Sequence, residues 1–310
     1  MIKYYKTIDN VMTKISEPEP GCWISVIDPS TFEKEILINK IGVFRDFVNA
    51  SVDEEERPHI DYDDDTEQRL IIFDYPSDER HNNDSTIYST LPLGMILMKD
   101  YIVTISLYDN HNITDMAAGN IRGADTTLKL RFCLLLMFRI AQRFLIYLRQ
   151  IDKLSSFTEK KMKRMMSNSE VIYMMELEKS LVYFSSSLNT DQVLLERLNS
   201  GKLIKLYEDD LDLMEDLIIE IKQGIDMCNI YSNILSNTMD GISAIINNNV
   251  NNIMQYLTVI TIVLSIPNMV YGFYGMNVSD LPITYTWFPS LISILLVLLA
   301  YLFFKNKKMW

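Results

Sequence analysis

The sequence predicts an α+β domain followed by a long helical stalk and two C-terminal membrane-crossing helices. Three observations carry that prediction. Short β-type and helical runs alternate up to about Gly123; from Thr126 the chain lacks proline until it reaches an apolar segment; and two long apolar runs stand near the end. A chain of 310 residues also exceeds the usual size of one domain, so a soluble body plus a second part is expected. The expected divisions are 1–125, an α/β domain; 126–250, a helical region with the stalk; and 251–310, a membrane hairpin with a basic tail.

In the first division, Ile2–Ile8, Trp23–Ile27, Leu70–Tyr75, Ile87–Leu91 and Leu93–Met98 are expected as strands, being rich in β-branched and aromatic residues. Lys99-Asp100 separates Met95–Met98 from Tyr101–Ile105, the signal of a two-residue hairpin. Thr31–Ile41 and Arg45–Val52 are expected as short helices. Asp61–Asp65 with Glu67 crowds acids beside a strand and is expected as a surface loop.

Beyond Thr126 apolar residues recur at helical spacing, as in Leu128, Phe132, Leu135 and Phe144. Asn189-Thr190 is expected as a tight turn between helices, and Ser200-Gly201 as the clearest break. A single helix from about Leu203 to Phe273 would measure roughly 100 Å at about 1.5 Å per residue. No helix of that length is stable alone in water, so it is expected to pack against copies of itself.

No charged residue occurs from Gly241 through Ser279, and Ile253 to about Tyr274 is long enough to cross a bilayer core of roughly 30 Å. Phe288–Phe304 forms a second apolar run, followed by Lys305, Lys307 and Lys308. The loop between the runs carries neither Lys nor Arg, so the lysine tail is expected on the cytoplasmic side and both termini with it. Met1–Asn10 lacks the apolar core of a cleavable signal, which leaves the large N-terminal part in the cytosol.

A heptad stripe runs along the long helix. Asp240, Asn247, Met254, Thr261 and Asn268 stand seven apart, with Ser243, Val250, Leu257, Ser265 and Gly272 on nearly the same side. Thr261, Ser265 and Asn268 would lie at bilayer depth, where an unpaired polar group costs several kcal/mol. Spacing alone allows two readings: small and hydroxyl residues that join membrane helices, or side chains that line a water path.

The net charge of -12 resides in the soluble part and makes nucleic acid an unsuitable partner, whereas divalent cations suit it. Cys22, Cys133 and Cys228 are odd in number and far apart, as in a reducing compartment. His59, His81 and His111 stand in no triad or metal spacing, so no enzyme is expected. Ten glycines form neither nucleotide-loop pattern, so any transport is expected to be passive. Glu208–Asp210, Asp212, Glu215 and Asp216 crowd the stalk with carboxylates, and Asp209, Asp212 and Asp216 fall on one face. There like charges repel by a few tenths of a kcal/mol per pair unless a cation relieves them. A solvated acidic face is the plain alternative.

Tyr274-Gly275-Met276-Asn277-Val278 lies directly after the first apolar run and before the second. In that placement it resembles the signature of the CorA-type magnesium channel family. Leu181–Leu188, Glu220–Tyr231, Met239-Asp240-Gly241, Asn247–Met254 and Leu257-Thr258 also resemble family sequence, with weaker echoes at Trp23–Pro29, Asp53–Pro58 and Met95–Ser106. The resemblance implies a funnel-shaped homopentamer in a plasma or inner membrane, with a fivefold ring of stalk helices around a pore for hydrated Mg2+ and, in some members, Co2+ or Ni2+. It assigns Gly275, Met276 and Asn277 to the ion-selecting entrance, with the Asn277 amide oxygen facing the ion. Met254 and Leu257 match the apolar constriction, Asp240 the cytosolic mouth, and Asp216 a regulatory Mg2+ site. Thr261, Ser265 and Asn268 are placed along the pore by helical spacing, and Asp209 and Asp212 join Asp216 by sharing its face. Family members often carry a glutamate in the outer loop, where this chain has Asp280. Relatives that carry zinc alter the middle residue of the motif; Met276 is unaltered. A membrane-anchored scaffold that conducts nothing is the competing reading from a different class.

Overall fold

The computed structural model describes residues 1–78, 88–164, 168–201, 204, 206–276, 283, 285 and 287–307. The chain divides into two units, Met1–Ser236 and Asn237–Trp310.

The first unit is built on a seven-stranded sheet. Its strands are β1 (Ile2–Ile8), β2 (Val11–Ile15), β3 (Cys22–Ile27), β4 (His59–Asp63), β5 (Gln68–Ser77), β6 (Ser89–Leu97) and β7 (Tyr101–Ser106), in the order β2-β1-β3-β7-β6-β5-β4. Neighbours are antiparallel except β3 and β7, which pair in parallel with Trp23 opposite Ile102. The Lys99-Asp100 hairpin is present, closed by Met98 N–H donating to the Tyr101 carbonyl at 3.0 Å. Central strands are buried on both sides, which is why they appear as unbroken apolar runs such as Leu70–Phe73. One face packs Cys22, Ile24, Val26, Leu70, Ile72 and Val103 under Leu37, Ile41, Phe47 and Val48. On the other, Trp23 meets Phe132 with ring centroids 5.1 Å apart.

α1 (Thr31–Ile36) starts at a capping box, Ser30 with Glu33, and continues as a π-helical turn, Leu37–Ile41, that stops at Gly42 with φ 85°. α2 (Arg45–Ala50) and α3 (His111–Ala117) are short, and α4 (Lys129–Arg164), α5 (Asn168–Asn199), α6 (Glu208–Tyr274) and α7 (Phe288–Asn306) complete the chain.

Several expectations are corrected. The strands expected to part at Pro92 form one strand, β6; Ile87 lies outside the described residues. β7 pairs only with Leu93–Leu97, so Pro92 has β5 on one side alone, an edge-like position where a missing N–H costs little. Asp61–Asp63 belong to edge strand β4 rather than a loop, and only the turn beyond it is irregular, with Thr66 N–H donating to Asp63 Oδ2 at 2.8 Å. No turn forms at Asn189-Thr190. Their side chains donate to the carbonyls of Ser185 and Ser186 at 2.6 and 2.8 Å, within α5, and buried Leu188, Leu194 and Leu195 hold that helix through them. The helix does stop at Ser200-Gly201, where Gly201 has φ 68°. α6 begins at Glu208 rather than near Leu203, a residue outside the described set. Its first turn, Glu208, Asp209 and Asp210, places carboxylates at the positive end of the helix dipole.

All three cysteines are free and buried, and burial pushes the Cys133 and Cys228 thiols up to about 12. They are inert packing groups.

In the second unit, α6 and α7 each contain a window long and apolar enough to cross a membrane. Only 6% and 11% of those windows are buried, unlike the core helix of a soluble domain. Pro267 sits inside α6 without ending it, as membrane helices tolerate.

Candidate functional site: a polar helix stripe ending at a glycine

Two faces of α6 are distinguishable beside α7. Val263, Pro267 and Tyr271, spaced four apart, line a groove of about 510 Å³ with Ser290, Ser293, Ile294, Val297, Leu298 and Tyr301 of α7. The Tyr271 hydroxyl lies 2.9 Å from Ser290 Oγ and ties the two helices together near the loop. Thr261 and Ser265 are each two residues from a groove residue, a rotation of roughly 200° at about 100° per residue. Thr261 and Ser265 therefore occupy the side of α6 turned away from α7, with Leu257 and Asn268 on its flanks.

All of these are exposed, Met254 at 61% and Leu257 at 63%. By contrast Val259, two residues past Leu257, is fully buried. Among the described residues the stripe thus has no covering partner, although its residues are apolar or neutral.

The hydroxyls on the stripe are partly satisfied by their own helix. Thr258 Oγ1 donates to the Met254 carbonyl at 2.8 Å, Thr261 Oγ1 to Leu257 at 2.8 Å, and Ser265 Oγ to Thr261 at 2.7 Å. This lowers the cost that would otherwise force Thr261 and Ser265 to face water. It also fixes their chemistry: with the proton turned inward, each oxygen offers lone pairs outward, as acceptors. Acceptors suit a hydrated cation, whose shell presents protons.

At its C-terminal end α6 stops at Tyr274. Gly275 N–H donates to the Tyr271 carbonyl at 2.8 Å and Met276 N–H to Phe273 at 3.4 Å, so both belong to the last turn's closure. A Cβ on Gly275 would lie 3.1 Å from the Tyr271 oxygen, tighter than ordinary contact. The negative end of the helix dipole is directed at this point, a place that favours a cation. Asn277 and Asp280 lie outside the described residues.

Midway along α6 Asp240 is exposed, and near its start Asp209, Asp212 and Asp216 are exposed too. The residue the sequence reading passed over is Asp210, which is 5% exposed and meets Arg131 Nη1 at 3.3 Å. That guanidinium also donates to the Asp209 carbonyl at 2.9 Å, so α4 holds the start of α6 by an ion pair. An Asp one residue off the exposed face, with an Arg in the first turn of α4, was the available signal. Among the described residues no group of three or more His, Cys, Asp or Glu is placed to hold a metal ion. Asp209, Asp212 and Asp216 bring three carboxylates to one face without converging on a point, so they fit a regulatory Mg2+ only with ligands from water or another copy.

Comparisons with known proteins agree with one another. A family model described as CorA-like Mg2+ transporter protein matches residues 19–307. The chain is 28% identical over 302 residues to the cobalt/magnesium transport protein CorA of Methanocaldococcus jannaschii, covering 92% of this chain and 90% of that one. Among solved structures, the complete CorA magnesium transporter from the same organism superposes with a TM-score of 0.82 at 24% identity, over 99% of this chain and 96% of that one. The full-length CmaX protein superposes with a TM-score of 0.72 at 15% identity, over 100% and 97%.

Proposed function

The chain belongs to the CorA-like Mg2+ transporter protein family, and from that premise we propose that it is a passive, homopentameric Mg2+ channel of the cell membrane that also admits Co2+. The observation that carries the reading is the acceptor stripe on the face of α6 turned away from α7, leading toward Gly275 and Met276. Five such faces around an axis make a neutral, oxygen-lined path in which a cation keeps its water. The cobalt/magnesium name of the archaeal relative supports the choice of cargo.

In this reading Asn277 sits with Gly275 and Met276 at the outer mouth, where its amide oxygen holds the water shell of an arriving ion. Neutral acceptors grip that shell without trapping the ion, and conduction requires release. Asn268, Ser265 and Thr261 continue the path; Leu257 and Met254 close it by excluding water; Asp240 attracts the ion on the cytosolic side. Lys305, Lys307 and Lys308 keep the C-terminus in the cytosol, and the N-terminus with it. With the interior negative, a divalent cation gains about 4 to 5 kcal/mol per 100 mV on entry, so no nucleotide is needed.

The test is flux. Full-length protein in liposomes, with a Mg2+ dye inside and an inside-negative potential, is expected to show influx that grows with the potential. A protein that leaves the dye unchanged at every potential is a scaffold, and the proposal fails.

Regulation by cytosolic Mg2+ is assigned to Asp209, Asp212 and Asp216. At low Mg2+ their repulsion splays neighbouring copies of α6, and bound Mg2+ draws them together and narrows the path at Met254 and Leu257. Asp216→Ala should therefore shift the internal Mg2+ needed for half-closure upward by about threefold to tenfold, as expected for losing roughly 1 kcal/mol of coupling. Unchanged inhibition of influx by internal Mg2+ removes Asp216 from this role.

A further inference from the structure

Two carboxyl groups that are 117 residues apart in the chain meet inside the first unit. Asp74, on β5, is 8% exposed, and Asp191, on α5, is fully buried. The Asp74 backbone N–H donates to Asp191 Oδ1 at 3.1 Å, while Asp191 Oδ2 has no hydrogen-bond partner among the described residues. The Ser187 hydroxyl, one turn before Asp191 on α5, hydrogen-bonds the Asp74 carboxyl and lies 2.8 Å from Thr90 Oγ1 of β6.

Among the described residues no cation is paired with either carboxyl. β6 carries no titratable side chain. On the other elements that pack here, the charged groups are engaged or turned away. Arg143 of α4 binds Asp115, His59 of β4 lies against Glu56, Arg69 of β5 lies over the Tyr62 ring, and Glu196 and Arg197 of α5 are exposed. Two ionised carboxylates in such a place would repel at low dielectric and leave Oδ2 unsolvated. One proton removes both penalties.

We propose that Asp74 and Asp191 form a buried proton-binding site, in which a single proton carried by Asp191 neutralises one of the two carboxyls and so fastens α5 to the central sheet. The directions of titration agree. Burial first, then the Asp74 carboxyl, raises Asp191 well above the usual carboxylate range, and burial raises Asp74 to about 6. Because both values are raised, the fastening is complete at low pH and weakens as pH rises through the folded-state values. The Asp74 shift, from 3.8 to about 6, corresponds to roughly 100-fold in the unfolding equilibrium.

The experiment uses the full-length protein in detergent micelles, with Asp191→Asn and Asp74→Asn as variants. Infrared spectroscopy at neutral pH should show a protonated-carboxyl carbonyl band in the native protein, sensitive to D2O, that persists in Asp74→Asn, which keeps the buried Asp191, and is lost in Asp191→Asn. Urea unfolding should become easier for the native protein from pH 5 to pH 8, by at least about tenfold in the equilibrium, the part of the Asp74 shift that lies above pH 5, and Asp191→Asn should flatten that slope. A native protein without the band, a band retained in both variants, or an unaltered slope in Asp191→Asn overturns the proposal. So does loss of the band on adding Mg2+ at neutral pH, which would make the pair a cation site.

Discussion

Asn277→Ala should lower Mg2+ influx into liposomes by about tenfold to 100-fold while leaving the protein folded and assembled. The magnitude follows from the interaction removed. A hydrogen bond to a charged partner contributes about 1.5–3 kcal/mol, a polarised water on Mg2+ stands close to that case, and 1.4 kcal/mol is about tenfold. In a ring the loss repeats in each copy. Asn277→Asp tests the same idea from the other direction: a carboxylate ring should bind Mg2+ more tightly and release it more slowly, so influx saturates at lower external Mg2+ and at a lower maximum. Both substitutions lie beyond the end of α6, and circular dichroism should be unchanged. Equal influx through native and Asn277→Ala protein would take the entrance away from Asn277 and leave the stripe on α6 without its proposed outer end.

What the sequence disclosed divides along the range of the interactions involved. The long helix α6, the apolar helix α7, the Lys99-Asp100 hairpin and the apolar strands of the sheet core are set by neighbours in the chain, so periodicity and turn chemistry reveal them, whereas the division of α4 from α5 was not foreseen. β2 was legible but passed over. Asp9-Asn10, with φ 50° and 63°, is a two-residue turn of the kind that joins Ile8 to Val11, and Asp-Asn is chemistry for it. Pro92 and Asn189-Thr190 misled because their local preference is overridden by partners: β5 supports Pro92 on its one paired side, and buried leucines hold α5 together. In the same way, spacing identified the stripe from Met254 to Asn268, but the position of Thr261 and Ser265 opposite the groove residues Val263, Pro267 and Tyr271 required α7. Nothing local marks the Asp74–Asp191 contact, because only the packing of α5 on the sheet creates it.

Trp23→Ala should destabilise the protein by about 3–5 kcal/mol, the range for removing a large aromatic from a closed core. Trp23 is fully buried on β3, the strand that joins the β1–β2 hairpin to the rest of the sheet through its parallel pairing with β7. Its ring stacks on Tyr5 at 5.0 Å and meets Phe132 of α4 at 5.1 Å, so one side chain joins two strands and a helix. The indole Nε1–H donates to Thr104 Oγ1 at 2.9 Å, and Thr104 is fully buried on β7. Alanine therefore opens a cavity and leaves a buried hydroxyl without its donor. Trp23→Phe separates the two effects: most of the ring contact survives, and the lost hydrogen bond alone should cost about 1–3 kcal/mol. Urea unfolding of full-length protein in micelles, followed by far-ultraviolet circular dichroism, checks the order native, Trp23→Phe, Trp23→Ala. If Trp23→Phe proves as damaging as Trp23→Ala, the hydrogen bond to Thr104 outweighs the aromatic packing. If both match the native protein, α4 is held to the sheet by contacts other than this one. The second outcome would move the anchor of α4 toward its far end, to Phe144 against Phe184 at 5.0 Å, where α4 packs on α5.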